Sequence, residues 1–228
     1  MDIGIIGAGQ IGGTLARQLT ALGHQVSIAN SRGPASLAAL AAETGASAAT
    51  VEQTAGARDV VIIAIPENAV PQLPRDLLAA SSAVVVDTGN YYPSRDGHIA
   101  EVDGGLPESA WVSRVIGRPV VKAFNNITAP SLATRNVPAG TPGRISLSVA
   151  GDDRHAKEVV LGLIDAIGFD GIDAGALADS WRQQPGTPAY CRDLDAAQLK
   201  AALAEADALQ TARYRAEANE AARPYFEK

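Results

Sequence analysis

The chain has 228 residues, 46% of them hydrophobic and 19% charged, with a formal net charge of -6. That length holds one large domain or a domain with an extension, and the acidic balance excludes the Lys- and Arg-rich surface that non-specific nucleic-acid binding requires. No apolar run of about 18 residues predicts a membrane span, the single cysteine excludes an internal disulfide, and a first strand opening at Asp2 leaves no room for a secretion signal, so a cytoplasmic protein is expected.

An apolar strand at residues 3–6 comes first, then Gly7-Ala8-Gly9-Gln10-Ile11-Gly12, then a helical pattern over 10–22 carried by Ile11, Leu15, Leu19 and Leu22. A glycine-rich turn between a strand and a helix is the dinucleotide-binding fingerprint, whereas the same glycines without that context mean little. Gly7 allows the tight turn, Gly9 lets the backbone approach a pyrophosphate, and Gly12 lets the helix pack on the strand. The helix N-terminus, with its free N–H groups and positive dipole end, then holds the phosphates.

A strand at 25–29 ends in Asn30-Ser31-Arg32-Gly33-Pro34. An NAD site places an Asp or Glu at this strand end to bond the ribose hydroxyls, and such a carboxylate repels a 2′-phosphate. Asn30 stands there instead, followed by the Ser31 hydroxyl and the Arg32 guanidinium, a planar fork of donors suited to phosphate oxygens. Pro34 opens a helix predicted over 34–44 and leaves the N–H groups of Ala35 and Ser36 free near the same phosphate. The predicted cofactor is NADP(H), held by Gly7, Ala8, Gly9, Gln10, Ile11, Asn30, Ser31, Arg32 and Ser36.

A short helix at 51–56 precedes a strand at 60–65, whose end carries Ala64, Ile65 and Pro66 as an apolar wall for the ribose and nicotinamide. A helix at 67–80 leads to a strand at 83–87; beyond it Asn90 suits a ribose or carboxamide contact and equally a polar turn. The strand at 119–124 runs into Asn125-Asn126, adjacent amides that fit recognition of a planar polar ring as well as they fit a turn. Strands at 145–150 and 169–173 flank a helix at 156–167. Near-continuous Val/Ile runs alternating with helices give an α/β, doubly wound, Rossmann-type and mostly parallel sheet, expected over residues 1–175. Residues 176–228 form a loop and a small helical extension. Its Trp181-Arg182-Gln183-Gln184-Pro185-Gly186-Thr187-Pro188-Ala189-Tyr190 segment is a fixed non-helical loop, either a rigid connector or a cover over the cofactor, with Arg182 and Pro188 joining Asn125 and Asn126 as substrate-contact candidates. Residues 195–222 read as one long helix or two shorter ones, capped by Asp193 or Asp195 and ended before Pro224. That tail covers the cofactor, contacts a second subunit, or packs as a solvated helix.

No His/Cys spacing suggests a metal. His24 and His155 lie away from the strand ends that bind ligand, and Cys191 is read as buried rather than reactive. Lys122 and His98 are the catalytic candidates, with Tyr190 a weaker one. Hydride exchange between two bound rings asks little of side-chain acids, because the cofactors carry the chemistry and the protein aligns them.

The run GIIGAGQIGGTLARQLTALGHQVSIANSRG, the KAFNN at 122–126 and the WRQQPGTPAY segment resemble the NADPH-dependent reductases of the deazaflavin coenzyme (factor 420), across residues 1–190. The resemblance implies a Rossmann domain with a small C-terminal part, a homodimer, and direct hydride exchange between NADP and a deazaflavin or flavin. It also implies that Ser31 and Arg32 meet the 2′-phosphate. Asn126 departs from the Asn-Thr that follows Phe in that family. Two other activities remain open: reduction of a small carbonyl or imine, as in pyrroline carboxylate reductases, with Lys122 donating the proton, and non-catalytic NADPH binding or sensing.

Overall fold

The computed structural model describes residues 1–226. In chain order the elements are β1 (Asp2–Ile6), α1 (Gln10–Ala21), β2 (Gln25–Ala29), α2 (Ala38–Thr44), β3 (Ser47–Ala48), α3 (Val51–Ala55), β4 (Val60–Ile63), α4 (Arg75–Ala80) and β5 (Val84–Asp87). They continue with α5 (Pro93–Asp96), α6 (Ala100–Asp103), α7 (Glu108–Ile116), β6 (Val121–Lys122), α8 (Ala129–Thr134), β7 (Ser146–Val149), α9 (Arg154–Ala166), β8 (Asp170–Asp173), α10 (Ala196–Glu205) and α11 (Thr211–Phe226).

Six strands pair in parallel in the order β3-β2-β1-β4-β5-β6. The order reverses at β1, which lies between β2 and β4, and that switch point leaves a crevice at the carboxyl ends of the strands. Strand pleating sends alternate side chains to opposite faces. Ile3, Ile5, Val60, Ile62 and Val86 join one buried cluster with Leu15 and Leu19 of α1 and Val160 and Ile164 of α9. Ile6, Val61, Ile63 and Val85 join the other, with Leu78 of α4 and Trp111 and Val112 of α7. The apolar runs of the sequence are continuous because both faces are covered.

β7 and β8 form a parallel pair, tied to the large sheet by an antiparallel bridge between Lys122 and Ala150. The Ala150 carbonyl accepts from Lys122 N at 2.8 Å and the Lys122 carbonyl accepts from Ala150 N at 3.0 Å. The sheet is thus mostly parallel, with one reversal.

Two predicted helices are broken. Residues 34–44 begin as a 3-10 segment, Pro34–Leu37, before α2. Residues 67–80 split into a 3-10 segment, Glu67–Gln72, and α4, because Pro71 and Pro74 lack the N–H groups that a continuous helix needs. The tail is two helices. Asp195, not Asp193, caps α10: its carboxylate accepts from Gln198 N at 2.9 Å while the Gln198 side chain accepts from Asp195 N at 3.1 Å. Pro224 lies inside α11 rather than beyond it. α10 packs on the β7–β8 pair through Leu199, Ala202 and Leu203 against Ile172. α11 folds back on α5, where Asn219 Oδ1 accepts from Ser94 N at 2.8 Å.

Candidate functional site

The tips of β1, β2 and β4 are laced together before they open into a cleft. Gly7 N donates to the Ala29 carbonyl and Ala64 N to the Ile6 carbonyl, both at 2.8 Å. Gly7 turns with φ 116°, and a side chain there would meet the Ala64 carbonyl at 2.1 Å. A Cβ on Gly12 would sit 1.9 Å from the Gly7 carbonyl, so α1 rests directly on the turn. Gly9 differs: a Cβ there would meet nothing within 4 Å, because it borders the open cleft. As N-cap of α1, Gly9 makes no side-chain cap, so the first-turn N–H groups face an approaching anion uncovered.

The cleft has a volume of about 520 Å³. Gly7, Ala8 and Gly9 form its floor, Asn30, Ser31 and Arg32 one rim, and Ala64, Ile65 and Pro66 the facing wall. Nine of the predicted cofactor residues therefore surround one cavity. Asn30 organises its rim: its Oδ1 accepts from Arg32 N at 2.9 Å and from Ser36 Oγ at 3.1 Å. Ser31 and Arg32 stay exposed. Ser36 is spent on Asn30 and on the Gly33 carbonyl, 2.7 Å away, and does not line the cleft. Gln10 and Ile11 open α1 without lining it. A floor of exposed N–H groups, a cationic rim and an apolar wall fit a dinucleotide with an added phosphate.

Val51, Glu52, Ala69, Gln72 and Leu73 also line the cleft and were not singled out in the sequence. The signal for the first two was present in Thr50-Val51-Glu52-Gln53, a capping box that starts α3 at the cleft. Hydrogen bonds from the backbone and from Thr50 hold the Glu52 carboxyl below its ordinary range.

The remaining candidates lie elsewhere. Asn125 and Asn126, read as substrate-contact candidates, are each 1% exposed and do not line the cleft. Asn125 Nδ2 donates to Asn90 Oδ1 at 3.1 Å and to the Gln183 carbonyl at 2.7 Å, and Gln183 Nε2 donates to Asn125 Oδ1 at 2.8 Å. Asn90 is locked into this buried amide network rather than facing the cleft. Phe124, buried with φ 62°, turns the chain so that both amides point inward. Arg182 stacks 4.7 Å from the Trp181 ring and donates to the Leu203 carbonyl, and neither it nor Pro188 borders the cleft.

His98 is exposed and paired with Asp103 at 3.1 Å. Tyr190 shares a 2.6 Å hydrogen bond with Tyr92, and burial pushes both phenols up, Tyr92 to about 12. Cys191 is half-buried and its thiol is raised to about 11 by burial. Lys122 is fully buried. Its Nζ lies 3.2 Å from Asp87 Oδ2 and 2.5 Å from the Gly89 carbonyl, and it does not line the cleft.

The family model described as NADP oxidoreductase, coenzyme F420-dependent, matches residues 2–91. A hypothetical protein of Sinorhizobium meliloti is 34% identical in its solved structure, with a TM-score of 0.74 over 85% of this chain and 95% of that one. The structure of a protein from an Arthrobacter species described as a candidate F420-dependent NADP reductase is 25% identical, with a TM-score of 0.66 over 79% of this chain and 87% of that one. The Escherichia coli protein YjhV is 45% identical over 71 residues, which are 31% of this chain and about half (52%) of that protein. No helix among the described residues is long and apolar enough to cross a membrane. With the switch-point cleft, these likenesses give the chain a Rossmann-type fold whose residues 2–91 match the family of coenzyme F420-dependent NADP oxidoreductases.

Proposed function

We propose that this protein binds NADP(H) in the cleft between β1, β2 and β4 and passes hydride between its nicotinamide and a deazaflavin- or flavin-like ring. The observation that carries the cofactor half is Arg32, exposed at the cleft rim with Asn30 where an NAD site holds an acid. Its guanidinium has no ion pair or hydrogen bond among the described residues and is free to meet a 2′-phosphate. The α1 N-terminus holds the diphosphate, and Ala64, Ile65 and Pro66 give the ring an apolar bed.

When bound, the nucleotide supplies the hydride chemistry. The chain positions the ring and excludes water from one face, which lowers the barrier by orienting the reacting faces before the transfer. The cleft lining includes no His, Lys, Tyr or Cys, in keeping with a transfer between two rings, whereas reduction of an imine or carbonyl calls for a donor at the substrate. The family and the Arthrobacter structure support a deazaflavin as acceptor. A homodimer and a cytoplasmic location belong to the same reading.

Stopped-flow oxidation of NADPH, followed at the nicotinamide absorbance with a deazaflavin, FMN, FAD, and small imines and carbonyls, tests the reading. Turnover with a deazaflavin or flavin far above that with imines is expected. Turnover confined to imines or carbonyls would replace the acceptor, and tight NADPH binding without turnover would leave a binding module.

A further inference from the structure

Beyond the residues that line the cleft, at the ends of β4, β5 and β6, three carboxyl groups gather about one ammonium. Glu67 follows the cleft-lining Pro66, Asp87 closes β5, Glu108 opens α7 and Lys122 closes β6; none is more than 1% exposed. Asp87 is well served. Its Oδ2 accepts from Ser109 Oγ at 2.6 Å and Lys122 Nζ at 3.2 Å, and its Oδ1 from Gly89 N at 2.9 Å. Glu67 and Glu108 are not: no side chain hydrogen-bonds an oxygen of either, the Tyr91 backbone favours the Glu108 carboxylate only weakly, and Lys122 Nζ comes only within 3.9 Å of Glu108. Glu67 presses on the β5 tip so closely that a Cβ on Gly89 would lie 2.3 Å from its Oε1.

One lysine neutralises one carboxylate. Full ionisation would leave two uncompensated charges away from water, which burial forbids; such a group takes up a proton instead. The surroundings keep this balance close. Asp96, from α5, adds to the negative field at Glu67, and Arg215, from α11, opposes it at Glu108. Burial raises Glu67 well above its ordinary value, and burial, offset by Lys122, leaves Glu108 at about 7.

We infer that this cluster senses the charge of the bound nicotinamide, releasing a proton when the oxidised, cationic ring occupies the cleft and retaining it when the reduced, neutral ring does. The inference rests on the proposed NADP(H) site. The balance is a carboxylic acid and NADP⁺ giving a carboxylate beside the cation, with the proton passing to solvent. A positive charge in the cleft favours ionised carboxyls nearby, because a low-dielectric site screens charge poorly, and Glu67 sits between the cleft-lining Pro66 and Ala69 in the chain. By linkage, raising the pH then tightens NADP⁺ more than NADPH.

Calorimetric titration of the wild-type protein with NADP⁺ and with NADPH, each in phosphate and in Tris buffer at pH 7, counts the protons exchanged. Both nucleotides carry the same 2′-phosphate, so its ionisation cancels between them. NADP⁺ is expected to release more protons than NADPH, by up to one, and the ratio of the NADPH to the NADP⁺ dissociation constant to rise several-fold from pH 6 to 8. Glu108→Gln, or Glu67→Gln should the first fail to fold, is expected to shrink that difference while both nucleotides still bind. Equal proton counts with a pH-independent ratio would overturn the inference and leave the cofactor site standing, as would an undiminished difference in a folded variant. Failure to bind either nucleotide would remove both.

Discussion

Arg32 and Gly12 carry the sharpest consequences of single side chains. Arg32→Ala removes a charged phosphate contact of about 1.5–3 kcal/mol, so NADPH should bind roughly 10- to 150-fold more weakly. NADH, which lacks the phosphate, should be almost unaffected, and fluorescence titration with both nucleotides checks this. Gly12→Ala drives a methyl into the Gly7 carbonyl, 1.9 Å away. Overpacking there should cost about 1–3 kcal/mol, seen in urea unfolding, and weaken nucleotide binding with it. Gly7, Asn30 and Arg32 were legible because turn and phosphate chemistry act locally. Lys122, Asn125 and Asn126 were not, because a side chain at a strand end goes wherever its tertiary partners lie. For Lys122 those partners are Asp87 and Glu108; for Asn125 they are Asn90 and Gln183.

Among the elements, α3 shows how a short helix builds the site. Its five residues are held at the start by Thr50, whose hydroxyl accepts from Gln53 N at 3.2 Å while Gln53 Oε1 accepts from Thr50 N at 2.9 Å. Thr50→Ala should cost about 0.5–2 kcal/mol in denaturant unfolding and loosen nucleotide binding, since Val51 and Glu52 line the cleft. The buried strands were readable as Val/Ile runs. β3, with two residues, and α5 and α6, with four each, are too short to show any periodicity. The reversal at β7 was also hidden, because an apolar run reveals burial and not direction.

At the scale of the whole molecule, the buried carboxyls tie stability to pH. The Glu108 carboxyl titrates at about 7 when folded against 4.5 when exposed, so the native state holds its proton more tightly than the unfolded chain does. Its contribution is fully present below 4.5 and is lost as pH rises to about 7; Glu67, raised for the same reason, acts in the same direction. Thermal melts should therefore show wild-type stability falling between pH 5 and 7 more steeply than that of Glu108→Gln. The cleft, meanwhile, is lined entirely by residues 6–73, while the amide network, the buried lysine and both tail helices draw on later parts of the chain. Coenzyme choice is in that sense a separable cassette. Under the proposed reading, substitutions downstream of residue 73 would alter the reaction partner while the residues that line the nucleotide cleft stay the same.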